Sequence, residues 1–287
     1  MFFINSGTVS VETTGTVVKR GPGDFFGEGA LLSPSQRRSA TIRCDTPVHA
    51  MEISREYFER YLAKSDSDLM LTLREKDKIR KRNRAKLILQ MQKNLRERRF
   101  GPGEVVFERG QDGNSLFLVE SGTVNIVENG QRVFQALPRN VFGEHSLITG
   151  RPRNCTAICG SKEGCVLKEL PKSDFRKLKK KSPDIVASLR DLSIRRDFKK
   201  AVVMRLKKEF PYDNPREAFD AVKTAGNKSD RLDVKAVGNL MRELNPDYTD
   251  EEILEIIRTL DLTKSGDVNF EEFKKVFVAD IRKSASI

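Results

Sequence analysis

The feature that most constrains this chain is that it repeats itself. The run Met1-Phe-Phe-Ile-Asn-Ser-Gly-Thr-Val9 returns as Leu116-Phe-Leu-Val-Glu-Ser-Gly-Thr-Val124, 115 residues on. Phe26-Gly-Glu-Gly-Ala-Leu-Leu32 returns as Phe142-Gly-Glu-His-Ser-Leu-Ile148, 116 residues on. Two matches in one order at nearly one interval require a duplicated domain, with one residue gained or lost in a loop. Each copy is rich in short β-branched and aromatic runs. In the second copy these are Val105–Phe107, Leu116–Val119, Thr123–Val127 and Arg132–Leu137, parted by turns at Gly110–Asn114, Ser121-Gly122 and Asn129-Gly130. Strands so closely spaced predict a small sandwich or barrel. Pro171 and Pro183 then start helical patterns at 172–181 and 184–209.

The 287 residues are 38% hydrophobic and 33% charged, enough to bury two or three cores. The net charge of +12 would suit nucleic acid or an anionic membrane, but its distribution is local. Residues 74–99 carry a net +9, residues 168–208 a net +10, and residues 209–287 a net −5. The basic charge therefore sits on two connecting segments as solvated helix faces, and no nucleic-acid partner is expected. No stretch approaches the roughly 20 apolar residues of a membrane span, and no basic-then-apolar leader opens the chain. A cytoplasmic protein without a transmembrane segment is expected. Cys44, Cys155, Cys159 and Cys165 form no Cys-x-x-Cys pair, and His49 and His145 lie outside ligand spacing, so reduced thiols rather than zinc are expected.

Chemistry concentrates in Phe142-Gly-Glu-His-Ser-Leu-Ile-Thr-Gly-Arg-Pro-Arg-Asn-Cys155. A one-turn helix from Gly143 would point backbone N–H groups outward, which favours an anion. Arg153 can pair with that anion through its guanidinium fork. Glu144 only accepts hydrogen bonds, so beside an anion it must face a hydroxyl. One anion and one hydroxyl held close together describe a ribose cyclic phosphate. On these residues, with Gly101-Pro-Gly-Glu104 and Glu120-Ser-Gly-Thr123, the stretch 96–185 resembles the cyclic nucleotide-binding domain family. That family occurs in regulatory subunits of cyclic-AMP-dependent protein kinase and in cyclic-GMP-dependent kinase. The resemblance implies that Glu144 binds the ribose 2′-hydroxyl and Arg153 the cyclic phosphate. Backbone around Gly143, Ser146 and Leu147 completes the cradle, and Asn154 follows Arg153 in the same set. Ser146 replaces the family's usual Ala, and Asn154-Cys155 replace its small pair.

In the first copy the corresponding residues are Gly27, Glu28, Ala30, Leu31 and Arg38, followed by Ser39, whose hydroxyl is a guanine-reading feature in the cyclic-GMP kinases. Counterparts of residues 100–115 are missing, which would leave open sheet edges and unpaired backbone groups. A truncated gene product or a fragment is the expected reason, and whether this copy binds stays open. Arg37-Arg38-Ser39 also resembles a basophilic kinase substrate, although its place in the cassette already accounts for it.

The tail contains Asp261-Leu-Thr-Lys-Ser-Gly-Asp-Val-Asn-Phe-Glu-Glu272, which fits the twelve-residue EF-hand loop. Asp261, Thr263 and Ser265 would supply side-chain oxygens, Asp267 its carbonyl, Asn269 a water-mediated contact and Glu272 the bidentate closure. Gly266 permits the turn. Thr249-Asp-Glu-Glu252 caps the preceding helix, and 249–279 looks like a calmodulin-family hand. Its mate, Ala225 to Ala236, has Ala at both the first and twelfth positions and should hold no calcium. With two direct carboxylates the intact loop should bind at about 10⁻⁵ M or weaker.

The expected architecture is α+β and multidomain. Two barrel or jelly-roll nucleotide domains (1–64 and 99–190) with basic helical segments at 65–98 and 191–210 precede an all-α EF-hand pair (211–287). The leading function is non-catalytic: cAMP or cGMP and calcium as ligands, coupled to a protein partner such as a kinase or other effector. No kinase phosphate loop, catalytic-loop triplet or metal-binding triplet is present, and no helix-turn-helix follows the second copy. The alternative is a calcium-sensing adaptor whose nucleotide domains survive as scaffolds. Ile194, Phe198, Val202 and Leu206 form an apolar stripe that either fills an acidic EF-hand groove or closes the barrel.

Overall fold

Sheets form where the apolar alternation and turn residues require them. The computed structural model describes residues 1–287 apart from 14–15, 33–37, 63–67, 91, 209–211, 213, 224–228 and 279–287. Two units result, 1–80 and 81–287. In the first, β1 (Phe2–Ser6), β2 (Val9–Thr13), β3 (Thr16–Arg20) and β4 (Phe25–Phe26) precede α1 (Glu28–Leu32). Then come β5 (Thr41–Cys44), β6 (His49–Glu52), α2 (Arg55–Tyr57), a π-helical turn at Phe58–Leu62 and the start of α3 (Asp68–Gln90). Two three-stranded sheets run β4-β1-β6 and β3-β2-β5. Met70 and Leu73 of α3 join Met1, Phe25 and Phe58 in their core, so the basic segment after residue 64 is partly core helix rather than wholly solvated. The edge strand β6 is exposed along its length.

The second unit has the complete jelly roll. Its strands are β7 (Arg96–Phe100), β8 (Val105–Phe107), β9 (Ser115–Ser121), β10 (Val124–Glu128), β11 (Gln131–Ala136) and β12 (Val141–Phe142). After α4 (Glu144–Thr149) follow β13 (Thr156–Cys159), β14 (Cys165–Pro171), α5 (Lys172–Lys181) and α6 (Pro183–Leu206). The sheets are β12-β9-β14-β7 and β11-β10-β13-β8. They remain two facing sheets, so the fold is jelly-roll-like and not a closed barrel. Strand β9 shows why its sequence is apolar throughout. Phe117 and Val119 face the core between the sheets, while Leu116 and Leu118 face Phe175 and Leu189 of α5 and α6. Cys155, Cys159 and Cys165 are buried and Cys44 is exposed, and all four are free thiols.

Helices α7 (Pro215–Val222), α8 (Val234–Leu244), α9 (Asp250–Leu260) and α10 (Phe270–Val278) form the EF-hand pair, with β15 (Arg231–Leu232) and β16 (Val268–Asn269) joining its loops. Leu232 pairs with Val268 across this two-stranded contact. Phe198, Ala201 and Val202 of α6 share one core with Phe219, Ile257 and Phe273, and Ile194 and Leu206 pack against it. At 1.5 Å per residue α6 is about 36 Å long, so its first half closes the jelly roll and its second half fills the EF-hand pair. The stripe Ile194, Phe198, Val202 and Leu206 therefore fills the EF-hand pair, and the jelly roll is closed instead by Ile185 and Leu189 earlier in the same helix. No helix among the described residues is long and apolar enough to cross a membrane.

Thr249 and Glu252 exchange backbone N–H bonds in a full capping box on α9. Thr249→Ala is expected to destabilise the unit by about 1 kcal/mol, read as a fall of ~2–4 °C in thermal melting.

Candidate functional site

Gly143 ends β12 in a left-handed conformation, φ +77°, that turns the chain into α4. A Cβ there would lie 2.7 Å from Arg153 Nη1, so glycine is demanded by both backbone and neighbour. Arg153 is 5% exposed. Its Nη1 donates to Gly143 O at 2.7 Å, its Nη2 to Ser115 O at 2.7 Å, and its guanidinium lies 4.1 Å from the centre of the Phe107 ring. Its Nε has no hydrogen-bond partner among the described residues. Burial pushes its pKa down to about 10, against the weaker pull of Glu144 and Glu169. A buried guanidinium with a spare donor and too little negative charge fits an anion. Gly143→Ala is expected to destabilise the fold by about 1–3 kcal/mol and to weaken any anion held by Arg153, measured by melting and by calorimetric titration.

Glu144 is 3% exposed and lines the same cavity as Arg153. Arg196 of α6 donates from Nη1 to Glu144 Oε1 at 3.0 Å and to Val141 O at 2.6 Å, with its guanidinium 4.5 Å from the Phe134 ring centre. The positive charge offsets repulsion between Glu144 and an anion at Arg153, and Oε2 remains an acceptor for a hydroxyl. Two further contacts tie the cassette to α6: His145 Nδ1 lies 3.0 Å from Asp197 Oδ2, and Asn154 Nδ2 donates to Asp197 Oδ1 at 2.9 Å. Burial opposes charge on His145, yet the Asp197 carboxylate outweighs it and raises the histidine's pKa. Asn154 thus serves the helix as well as lining the cavity. Ser146 is buried, and the Leu147 side chain packs with the α5–α6 core, so only the Leu147 backbone can serve a ligand. Burial pushes the Cys155 thiol up to about 12, which leaves it unreactive. The cavity between cassette and α6 is about 80 Å³. Small-molecule sites run to roughly 300–1,000 Å³, so side chains over the cassette must swing aside for a nucleotide.

The first copy repeats this geometry with its own residues. Arg38 Nη1 donates to Gly27 O at 3.0 Å, and Gly27 has φ +80°. Glu28 is buried and pairs with Arg80 of α3, whose Nη2 donates to Phe25 O at 3.0 Å. Ala30 is buried and its carbonyl accepts from Arg55 at 2.8 Å, while Leu31 packs in the first core. Arg38 and Ser39 are exposed, unlike Arg153. Arg37 lies outside the described residues.

In the EF-hand loop, Asp261 accepts from the amides of Lys264 at 2.6 Å, Ser265 at 3.1 Å and Gly266 at 2.8 Å. Glu272, fully buried, accepts from Thr263 N at 2.7 Å and Asn269 N at 2.9 Å. Thr263 Oγ1 lies 3.2 Å from both Asp261 Oδ1 and Ser265 Oγ, and Ser265 Oγ lies 3.2 Å from Asp267 O. Burial, with Asp261 nearby, pushes the Glu272 carboxyl up despite those two amide bonds. Two buried carboxylates ringed by hydroxyl and carbonyl oxygens suit a hard divalent cation. The Asp267 carboxylate pairs instead with Arg231, so its contribution is the carbonyl, and no three His, Cys, Asp or Glu side chains cluster as a metal site among the described residues. Arg231 comes from the mate loop, so its positive charge stands beside the candidate cation loop. Ala225 of that loop lies outside the described residues, and Ala236 sits inside α8, capped by Asp233 at 2.7 Å.

The family profile described as cyclic nucleotide-binding domain matches residues 1–65 and 97–182. The chain belongs to that family. A second profile, EF-hand domain pair, matches residues 216–278. A cAMP-dependent protein kinase regulatory subunit of Debaryomyces hansenii is 30% identical over 197 residues, covering 65% of this chain and 42% of that protein. A cGMP-dependent protein kinase of Plasmodium berghei is 28% identical over 225 residues, covering 69% of this chain and 26% of that protein. The chain thus spans less than half the length of these curated relatives. Among solved structures, cAMP-bound PfPKA-R is similar over 73% of this chain and 74% of its own, at 20% identity and a TM-score of 0.36. The regulatory domain of Toxoplasma gondii PKA with cAMP is similar over 67% of this chain and 77% of its own, at 22% identity and a TM-score of 0.33.

Within these cyclic nucleotide-binding domains, sequence reasoning missed Arg80 and Arg196. Each follows its glutamate by 52 residues, on the helix after the sheets. The signal was available: Leu73, Arg74 and Arg80 return as Leu189, Arg190 and Arg196 at the interval of 116 that relates the two cassettes.

Proposed function

We propose that this chain is a non-catalytic regulatory protein that binds cAMP or cGMP in its second nucleotide domain and calcium in its second EF-hand loop, and relays both to a protein partner. The buried Arg153, which has an unpartnered Nε and lines the same cavity as Glu144, carries this reading. Arg153 takes the ring phosphate through charge-assisted hydrogen bonds. Glu144 Oε2 accepts from the ribose 2′-hydroxyl while Arg196 holds Oε1 and neutralises the carboxylate. Backbone of Gly143, Ser146 and Leu147 lines the turn. The first domain's Gly27, Glu28 and Arg38 are arranged alike, but the exposure of Arg38 makes it the weaker site, where the Ser39 hydroxyl would be offered to a guanine base.

In the EF-hand, Asp261, Thr263, Ser265, the Asp267 carbonyl and Glu272 would hold calcium, which supplies a compact positive charge between two carboxylates. The named relatives are kinase regulatory subunits and a kinase, so a kinase catalytic domain is the partner we favour. Titration calorimetry with cAMP, cGMP and calcium tests the assignment, and saturable heat with one nucleotide is expected. The small cavity favours a second reading, a calcium-sensing adaptor on scaffold domains. Calcium heat without nucleotide heat would select it.

A further inference from the structure

Nucleotide cavities are walled by whatever packs over the cassette, and here part of that wall comes from the calcium-binding module. Beside Arg153 and Glu144, the cavity is lined by Phe134 of β11, Lys199 of α6, Tyr212 ahead of α7 and Phe277 of α10. Tyr212 meets Phe277 edge-on, ring centres 6.3 Å apart at 82°, and Lys199 Nζ sits 5.5 Å from the Phe277 ring centre. We propose that the EF-hand pair forms one wall of the nucleotide site, with Tyr212 and Phe277 as its aromatic face. The inference rests on the nucleotide reading above. An aromatic pair lining the same cavity as a phosphate clamp suits the flat, apolar base of a nucleotide, since rings stack on rings.

This wall cannot be independent of the calcium loop. Helix α10 carries Glu272 five residues before Phe277, about 7.5 Å along the axis. Between them Phe273 stacks on Phe277 at 5.2 Å and 12°, and meets Phe198 of α6 edge-on at 5.8 Å and 77°. Phe198 follows Asp197, which holds Asn154 and His145 of the cassette, and Arg196, which holds Glu144. Two routes, one direct along α10 and one through α6, join the loop's closing carboxylate to the nucleotide clamp. Packed cores shift as units rather than deforming continuously. A cation that repositions Glu272 therefore changes the wall, and reciprocity requires nucleotide to change calcium affinity by the same factor.

The test is calorimetry on the full chain with cAMP and cGMP, in calcium and in chelator, for wild type, Arg153→Ala, Phe277→Leu and Tyr212→Leu. Leucine retains apolar volume, and circular dichroism checks each variant's fold. In chelator, Phe277→Leu and Tyr212→Leu should each weaken nucleotide binding about fivefold or more. Wild type should show at least a fivefold difference in nucleotide affinity between calcium and chelator, in the range of ordinary coupling, matched by an equal shift in calcium affinity. Unchanged nucleotide affinity in both leucine variants, or equal affinity with and without calcium in wild type, overturns the inference while loss of binding in Arg153→Ala leaves the nucleotide reading standing. Absence of nucleotide binding in wild type overturns both.

Discussion

Replacing Arg153 with alanine is expected to lower nucleotide affinity at the second domain at least about a hundredfold, or about 2.7 kcal/mol. Hydrogen bonds between charged partners contribute roughly 1.5–3 kcal/mol each, and a ring phosphate offers acceptors to more than one guanidinium N–H. The spare Nε and the lowered pKa show a charge that burial disfavours and that an anion would restore. Removing the side chain also strips donors from Gly143 O and Ser115 O, so a fall in stability could mimic a binding defect. Arg153→Lys separates the two. It keeps the charge but lacks the planar fork, and should retain the melting temperature better than alanine while still losing most affinity. Nucleotide binding to Arg153→Ala at wild-type strength would sink the assignment of the clamp.

The second large effect is at Glu272. Glu272→Gln should abolish calcium binding, with a loss of more than about a hundredfold, because the loop has two direct carboxylates and this one closes it. The same substitution should behave oppositely without calcium. Burial pushes the Glu272 carboxyl above its ordinary range, with Asp261 adding to the effect. A carboxyl whose folded pKa is raised favours folding below its unfolded pKa and loses that contribution as pH rises through the folded value. Glutamine resembles the protonated form. In chelator near pH 7 the variant should therefore melt no lower than wild type, and in calcium it should melt lower. Acidifying the chelated wild type should narrow the difference. A variant that melts well below wild type in chelator would show that Glu272 is held for structure rather than for a cation.

The local geometry of both candidate sites is encoded at short range. Gly143, Glu144 and Arg153 lie within eleven residues, so one turn and one following strand set their geometry, and Asp261 to Glu272 form a single loop. The breadth of the core helices was not readable in the same way. Residues 74–99 and 168–208 looked like solvated basic faces because Lys and Arg dominate their composition. In fact α3 buries Arg82, Ala85 and Leu89 and α6 buries Arg195, Phe198 and Lys200, since long basic side chains can be matched by carboxylates on neighbouring elements. Arg82 and Arg195 converge on Asp191, at 3.0 and 3.1 Å. Strand β6 of the first unit is an exposed sheet edge.

What the sequence determined alone was everything encoded at short range or by repetition: the duplicated strand-rich domain, the two Phe-Gly-Glu turns, and the EF-hand pair with its capped helix. Tertiary structure decided what surrounds them. Only packing brings Arg80 and Arg196 back onto glutamates 52 residues earlier, and only packing sets Phe277 beside a cassette more than a hundred residues upstream. Periodicity reports which face of a helix is apolar, but not which of two partners covers it. Helix α6 has enough length to satisfy both, and so one helix contributes to the core of the nucleotide domain and to that of the EF-hand pair.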